Sequence, residues 1–329
     1  MASDFGPLIP IEMSREILQS TVAQSAALSL ARIQRMTTAQ MDIPVLASLP
    51  QAKFLAAVGA VKPQTEIRWS SEMIHVEEVA CTIAVPRAYI DDSAFPLWGE
   101  IRPRLSEAMS KAVDDAIISG LGAPASFPTG GVIAAGNPPI QAVASPGNPD
   151  FVGAISLGMA RVENSGLDVS GFAARTSVRA QFRNLRATTG EWLIWQPSSA
   201  NGPANLYGEP LVFTKLGFAA GVPDLIVGDW QMLVIGLRED MRFELSEHGV
   251  LTDPVTREVV ISAFEQDMVL MRVWMRLGAV IGIPFGNKPD GSQGLGTPFA
   301  NVRVPTGSFE ADEAAEPASA GSPARNSRS

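Results

Sequence analysis

Asp267-Met268-Val269-Leu270-Met271-Arg272-Val273-Trp274-Met275-Arg276, running on through Leu277 and Gly278 to Pro284, reads as one long strand. Val269, Met271, Val273, Met275 and Leu277 fall on one face, and Arg272, Trp274 and Arg276 on the other, because successive side chains in a strand point to opposite sides. A strand of this length needs an antiparallel partner. Met241–Glu247 and Val259–Ala263 are the two candidates, joined to it through a turn at Asp253-Pro254. The folded region therefore closes on a hairpin.

Outward from that strand the elements are mixed. Residues 210–214, 224–228 and 231–237 have strand character, as does the stretch 191–196, and helical spacing recurs around 155–164 and 176–187. Further upstream, Leu97, Ile101, Leu105, Met109, Val113 and Ile117 define a long helix over 95–119. Pro103 is expected to kink or split it near its start, and Gly120 and Gly122 to stop it. Asp91-Asp92-Ser93 reads as the cap that opens it. Residues 121–150, rich in Gly, Pro, Asn and Ala, read as loop.

Between 53 and 90 the period is two, with Ile67, Trp69, Val79, Cys81, Ile83 and Val85 alternating with polar neighbours. Two strands around a turn at Lys62-Pro63-Gln64-Thr65 fit this pattern. The hairpin has few large apolar residues near its tip, and a two-stranded ribbon without a core needs a neighbour to cover it. Residues 1–47 read as an arm, extended at Pro7 and Pro10 and then helical over 11–36 with Ser14 as N-cap. Residues 305–329 have the composition of a disordered tail.

Composition narrows the function. The chain has 329 residues, 46% apolar and 18% charged, a globular balance large enough for a substantial core. Lys plus Arg number 25 against 34 Asp plus Glu, and the net charge of −9 argues against a protein that grips nucleic acid through clustered cations. Cys81 alone excludes an intrachain disulfide and a cysteine-built metal site. The start lacks a basic head and apolar run, and the stretch 45–61 is interrupted by Pro50 and Lys53, so neither a signal peptide nor a membrane span is expected. A soluble protein, made in a cytoplasm, is the expectation.

Catalytic vocabulary is scarce. The sequence contains no Gly-Lys-Ser/Thr phosphate loop, no Gly-x-Ser-x-Gly elbow and no His-Glu-x-x-His. The glycine run Gly291, Gly294 and Gly296 lacks the strand-to-helix setting that gives a dinucleotide fingerprint its meaning. His75 reads as an exposed strand residue, His248 as a turn residue and Cys81 as a buried, inert thiol. Asp114 and Asp115 diverge by about 100° on a helix and do not converge on one ion. No cofactor, metal or catalytic residue is assigned.

Four stretches in order carry a resemblance. They are Ala60-Val-Lys-Pro-Gln-Thr-Glu-Ile-Arg-Trp-Ser70, Ile90-Asp-Asp-Ser93 with its following helix, Leu206-Tyr-Gly-Glu-Pro-Leu-Val-Phe-Thr214, and Asp267 to Arg276. Together, over residues 7–285, they are similar to the major capsid protein of tailed bacteriophages, the Hong Kong ninety-seven type fold. The resemblance implies an α+β fold. Its parts are an N-terminal arm (1–47), an E-loop hairpin (48–80), a P-domain strand and spine helix (81–131), an A-domain (132–258), closing P-domain strands (259–304) and a tail (305–329). It implies a structural subunit of an icosahedral head, self-assembling into hexamers and pentamers around double-stranded DNA, with a portal protein as partner. Scaffolding and decoration proteins, where used, would be separate chains. It places the protein in the virion after assembly in the host cytoplasm, with no membrane contact. The related encapsulin shell, which encloses enzymes instead of DNA, is the alternative, and an enzyme is the reading with least support.

The resemblance also nominates residues. Lys62, Glu66, Arg68 and Trp69, at the E-loop tip and returning strand, are candidates for contact between subunits. Some relatives join a lysine at this tip to an asparagine at the start of the closing strand, with a glutamate seven residues further on as proton acceptor. Lys62 matches the lysine, but Asp267 stands at the asparagine position and Trp274 at the glutamate position. An ionised carboxylate is a poor acyl donor, and a lysine without a base stays protonated near pH 7. The cross-link positions are therefore expected to be non-functional. Asn287 and Asn301 lie outside the matching strand.

Overall fold

The structure is a computed structural model. It describes residues 25–52, 54, 62, 64–92, 97–141, 144–145, 148–149, 151–184, 205–218, 223–253, 256–283, 285–289 and 292–303. The elements run α1 (Ala26–Leu30), β1 (Arg32–Arg35), β2 (Gln40–Ser48), β3 (Arg68–His75), β4 (Glu77–Pro86), α2 (Arg87–Asp91) and α3 (Leu97–Asp114), which passes into one π-helical turn (Asp115–Ser119). Then follow α4 (Gly131–Ala135), the two-residue strands β5 (Ile140–Gln141), β6 (Ala144–Ser145) and β7 (Asn148–Pro149), α5 (Phe151–Glu163), β8 (Gly171–Arg175), α6 (Arg179–Asn184), β9 (Asn205–Leu206), β10 (Glu209–Thr214) and β11 (Leu225–Gly228). The last are β12 (Leu233–Ser246), β13 (Val250–Thr252), β14 (Val259–Ser262), β15 (Met268–Ile281), β16 (Phe285–Asn287), β17 (Gln293–Leu295) and β18 (Phe299–Arg303).

Two sheets organise these elements. A long one has the order β1-β12-β15-β4, with β15 central and antiparallel to both neighbours. Its alternation is the one legible in the sequence: Met271, Val273, Met275 and Leu277 are buried on one face, with Val79, Cys81 and Ile83 beside them. Helix α3 contributes Leu105, Met109 and Val113 to the same core. Three such side chains contribute about 2 kcal/mol each by leaving water, enough to fix the helix to the sheet.

The second sheet has the order β5-β18-β11-β8-β10-β9 and is covered on both faces. Leu225 and Val227 pack with Phe172, Phe151 and Ile155 of α5 on one side, while Ile226, Ala173 and Phe299 join the core of the long sheet on the other. Two-sided burial explains why β8 and β11 read as continuous apolar runs without alternation. The hairpin β9–β10 turns through Tyr207 (φ 53°) and Gly208 (φ 95°), the paired positive values of a type I′ turn.

Several expectations are corrected. The helix expected over 11–36 is only α1 where it falls on described residues, and Arg32–Arg35 is a strand. Pairing in parallel with Val234–Leu237 outweighs the weak local preference of four residues; Ser14 lies outside the described residues. The outgoing strand of the projecting hairpin is Gln40–Ser48, in the stretch read as arm. Pro44 hid it; a two-stranded ribbon consists of edges, where proline is tolerated. Helix α3 runs through Pro103 without splitting, because Gly99 and Pro103 both face solvent, where water satisfies the carbonyl freed by the proline. Asp91 ends α2, with Asp92 as its C-cap, instead of opening the long helix.

Residues 121–150 are not all loop, since α4 buries Val132 and Ile133. Cys81 is half-buried at the edge of the core, and His75 is also half-buried. Of the two partners proposed for the closing strand, Met241–Glu247 holds, since it lies in β12 and pairs with β15 from Arg242 to Ser246, whereas Val259–Ala263 falls in β14, which pairs with β13. Strand β12 therefore belongs to the long sheet, and β18 returns to the six-stranded one. The strand read at 191–196 and the tail at 305–329 lie outside the described residues.

Candidate inter-subunit surfaces

The hairpin β2–β3 has one seated face and one open face. Met41 and Ile43 turn inward with Ile74 against Met36, Val234 and Val280. On the other face Leu46 stands opposite Trp69, and Asp42 opposite Met73. Trp69 is 68% exposed and Met73 46%. Ile67, just before the strand, is exposed too. An indole left in water beside Leu46, Met73 and Ile67 is a surface awaiting cover.

The base of this hairpin sits in a notch of the long sheet. Gly236 and Gly278 are direct partners across β12 and β15. A Cβ at Gly278 would overlap the His75 carbonyl and lie 2.6 Å from Ile74 Cγ2, and one at Gly236 would overlap Met36 Sδ. Backbone approach this close is available only to glycine.

At the far end of the same strand a second hairpin projects. Val259 and Val260 are neighbours in β14 and so face opposite ways, yet both are exposed, as is Val250 in β13, the register partner of Ser262. Phe264 is 75% exposed beside this hairpin, with the exposed His248 ring 6.1 Å from it. From Met268 to Gly278 the strand spans roughly 33 Å. Two apolar ribbons thus leave one rigid sheet at widely separated points.

The face of the long sheet opposite α3 is electrostatically closed. Arg276 lies between its register partners Glu78 (3.5 Å) and Glu239 (3.9 Å). Arg272 pairs with its partner Glu244 at 2.6 Å. Between these rungs the Arg242 guanidinium lies 5.6 Å from the Trp274 ring centroid. This places the Trp274 position within a ladder of compensated charge, with its indole Nε1 buried and without a hydrogen-bond partner among the described residues.

The other nominated residues lie as follows. Lys62 is exposed. Glu66 and Arg68 are exposed and paired with each other at 2.8 Å. Asp267 is exposed, takes φ 48°, and accepts from the Arg87 N–H through its carbonyl. Asn301 is fully buried, donating to the Ile133 carbonyl, while Asn287 is exposed and accepts from Gln293. Gln293–Leu295 is one arm of a small hairpin with β16, which gives the glycine run there no helix to open. The glycine notch and the β13–β14 patch escaped the sequence reading; valines on both faces of a short strand were the available signal for the latter.

Among the described residues no group of three His, Cys, Asp or Glu side chains is placed to hold a metal, and no helix is long and apolar enough to cross a membrane. The arrangement is that of a subunit whose apolar projections are left for other chains to cover. The phage capsid family model matches residues 6–284, and the chain belongs to the phage capsid family. It is a structural capsid protein with the tailed-phage major capsid fold, a component of the virion. Solved structures agree. The chain is similar to one from Mycobacterium phage Cain at 25% identity and TM-score 0.72, over 86% of this chain and 91% of that one. It is similar to one from Microbacterium phage Oxtober96 at 27% identity and TM-score 0.69, over 85% and 91%. The capsid of an empty GTA particle shares the fold at 16% identity and TM-score 0.55, over 85% and 89%. A search of curated protein sequences found no match.

Proposed function

We propose that this subunit forms hexamers and pentamers of a closed icosahedral head that encloses double-stranded DNA. The observation that carries the reading is the pair of uncovered apolar hairpins at separated points of the long sheet. Covering either one requires another chain, and a rigid spacer between them makes each subunit contact different neighbours, as a tiled shell requires. The hairpin β2–β3 and the arm before Ser25 lie over adjacent subunits in this reading, with Lys62, Glu66, Arg68 and Trp69 at the contact.

The net charge of −9 supports enclosure without adhesion, since a cationic wall would bind the phosphates and resist both packing and release. A portal protein at one vertex completes the head, with scaffolding and decoration proteins where these are used, and assembly takes place in the host cytoplasm. The role is structural, without catalysis.

Deletion of residues 55–72 tests the reading. The variant is expected to remain a soluble, folded subunit that forms no shells in negative-stain micrographs. Normal shells from the deletion would overturn it. Nuclease-protected DNA inside shells recovered from infected cells supports the genome-container role, and shells holding protein cargo alone would contradict it.

A further inference from the structure

Arg303 is the last described residue, and strand β18, which it ends, is fixed against α5. Gly158 packs on Val302, so closely that a Cβ on the glycine would lie 3.2 Å from Val302 Cγ2. At the other end of the contact the Ser165 hydroxyl donates to the Thr297 carbonyl at 3.1 Å. Helix α5 and strand β18 therefore run in opposite directions, and the chain leaves β18 close to Leu157.

Beside this junction lies an open groove of about 460 Å³ between α5 and the β16–β17 hairpin. Leu157 and Leu295 line it and are 60% and 63% exposed. Arg161 and Lys288 give it positive charge, and no acid lines it. The Arg161 guanidinium donates to the carbonyls of Gly136, Asn137 and Pro138, which orient it without neutralising it. Lys288 is half-buried. Among the described residues neither cation has an ion-pair partner.

The sequence after Arg303 is the chemical complement of this groove. Phe309 is the one large apolar side chain in 305–329. Glu310, Asp312, Glu313 and Glu316 follow it, with no Lys or Arg before Arg325. An extended chain from Arg303 to Phe309 reaches about 20 Å, whereas Gly158 to Asn164 along α5 is about 9 Å. The segment is long enough to turn back along the helix.

We propose that residues 308–316 fold back into this groove on their own subunit, with Phe309 against Leu157 and Leu295 and the acids toward Lys288 and Arg161. Removing the ring and two leucines from water favours docking, and the opposed charges fix its sense. The short tether holds the segment near its own groove at a far higher effective concentration than any neighbour's groove supplies. This apolar patch is thus covered without a second chain, unlike the hairpins β2–β3 and β13–β14.

Zero-length carbodiimide coupling, which joins an amine to a carboxylate in contact with it, tests this on dilute full-length subunits. Peptide mass spectrometry is expected to find Lys288 joined to an acid of 310–316 more often than the exposed Lys62, Lys111 or Lys215. In an equal mixture of unlabelled and heavy-isotope-labelled chains, both halves of the joined peptide should carry the same label. Phe309→Ser keeps every amine and carboxylate and should cut the yield several-fold. Lys288 joined to the segment no more often than the other lysines, joined peptides of mixed label, or an unchanged yield in Phe309→Ser would overturn the proposal.

Discussion

Gly236 and Gly278 face each other across β12 and β15, and together they form the seat on which Ile74 and His75 bring the projecting hairpin onto the long sheet. The pairing matters because the obstruction at Gly278 is backbone. A displaced methionine can rotate away, whereas the His75 carbonyl moves only if the hairpin moves.

Gly278→Val should therefore act more severely than Gly236→Ala. The expected loss is on the order of 3 kcal/mol or more for the valine, the range of overpacking in a closed core. Gly236→Ala should cost less, since Met36 is flexible. Urea unfolding of purified subunits measures both, and equal losses would show that the hairpin base yields as easily as a side chain.

Asp114 should give the global stability a pH dependence of definite sign. Its folded pKa of about 6 lies above the unfolded value of 3.8, so the folded state holds more protons between those values. Stability falls as pH rises through that window and levels off above it. The ceiling is about 3 kcal/mol, and the contribution should vanish in Asp114→Asn. Unfolding midpoints at pH 4, 5, 6 and 7, taken as the difference between the two proteins, carry the check.

The charged ladder should contribute little despite its order. Arg276 is 39% exposed and its contacts are 3.5 and 3.9 Å, so Arg276→Met is expected to cost under about 1 kcal/mol. A larger loss in thermal unfolding would assign it a packing role that its exposure does not suggest.

Shells of this protein should dissolve into single chains. With Asp267 and Trp274 at the two partner positions, Lys62 has neither an acyl donor nor a proton acceptor in the matching strand. Boiled, reduced particles are expected to run as one band near 35 kDa. A surviving ladder whose joined peptide contains Lys62 would contradict this.

What the sequence disclosed follows from how each element earns its stability. Strand β15 and helix α3 bury one regular face each, so period two and period 3.6 show through plainly. Strand β1 draws its stability from backbone pairing with β12, and four residues with a lone isoleucine carry no periodic trace of that. Strand β2 was concealed by Pro44, whose usual meaning reverses in a ribbon made of edges. Asp114 and Asp115 were correctly separated as pointing apart, yet nothing local says that one seeks Ser25 and the other Gly217, each about ninety or more residues away. The nominated surface residues on β3 owed their selection to the family resemblance. The β13–β14 patch had no such guide.

The return of β18 to the six-stranded sheet has a consequence in time. This strand lies between β5 and β11, its register partners, yet it is the last of the described elements to leave the ribosome. Until then β11 presents an unpaired edge, and the α5 side of the core lacks Val302. A nascent subunit is thus unfinished in its interior, however complete its earlier surfaces are. Folding of that lobe waits for β18 to emerge, and chains that have not yet reached it are poor recruits to a growing shell.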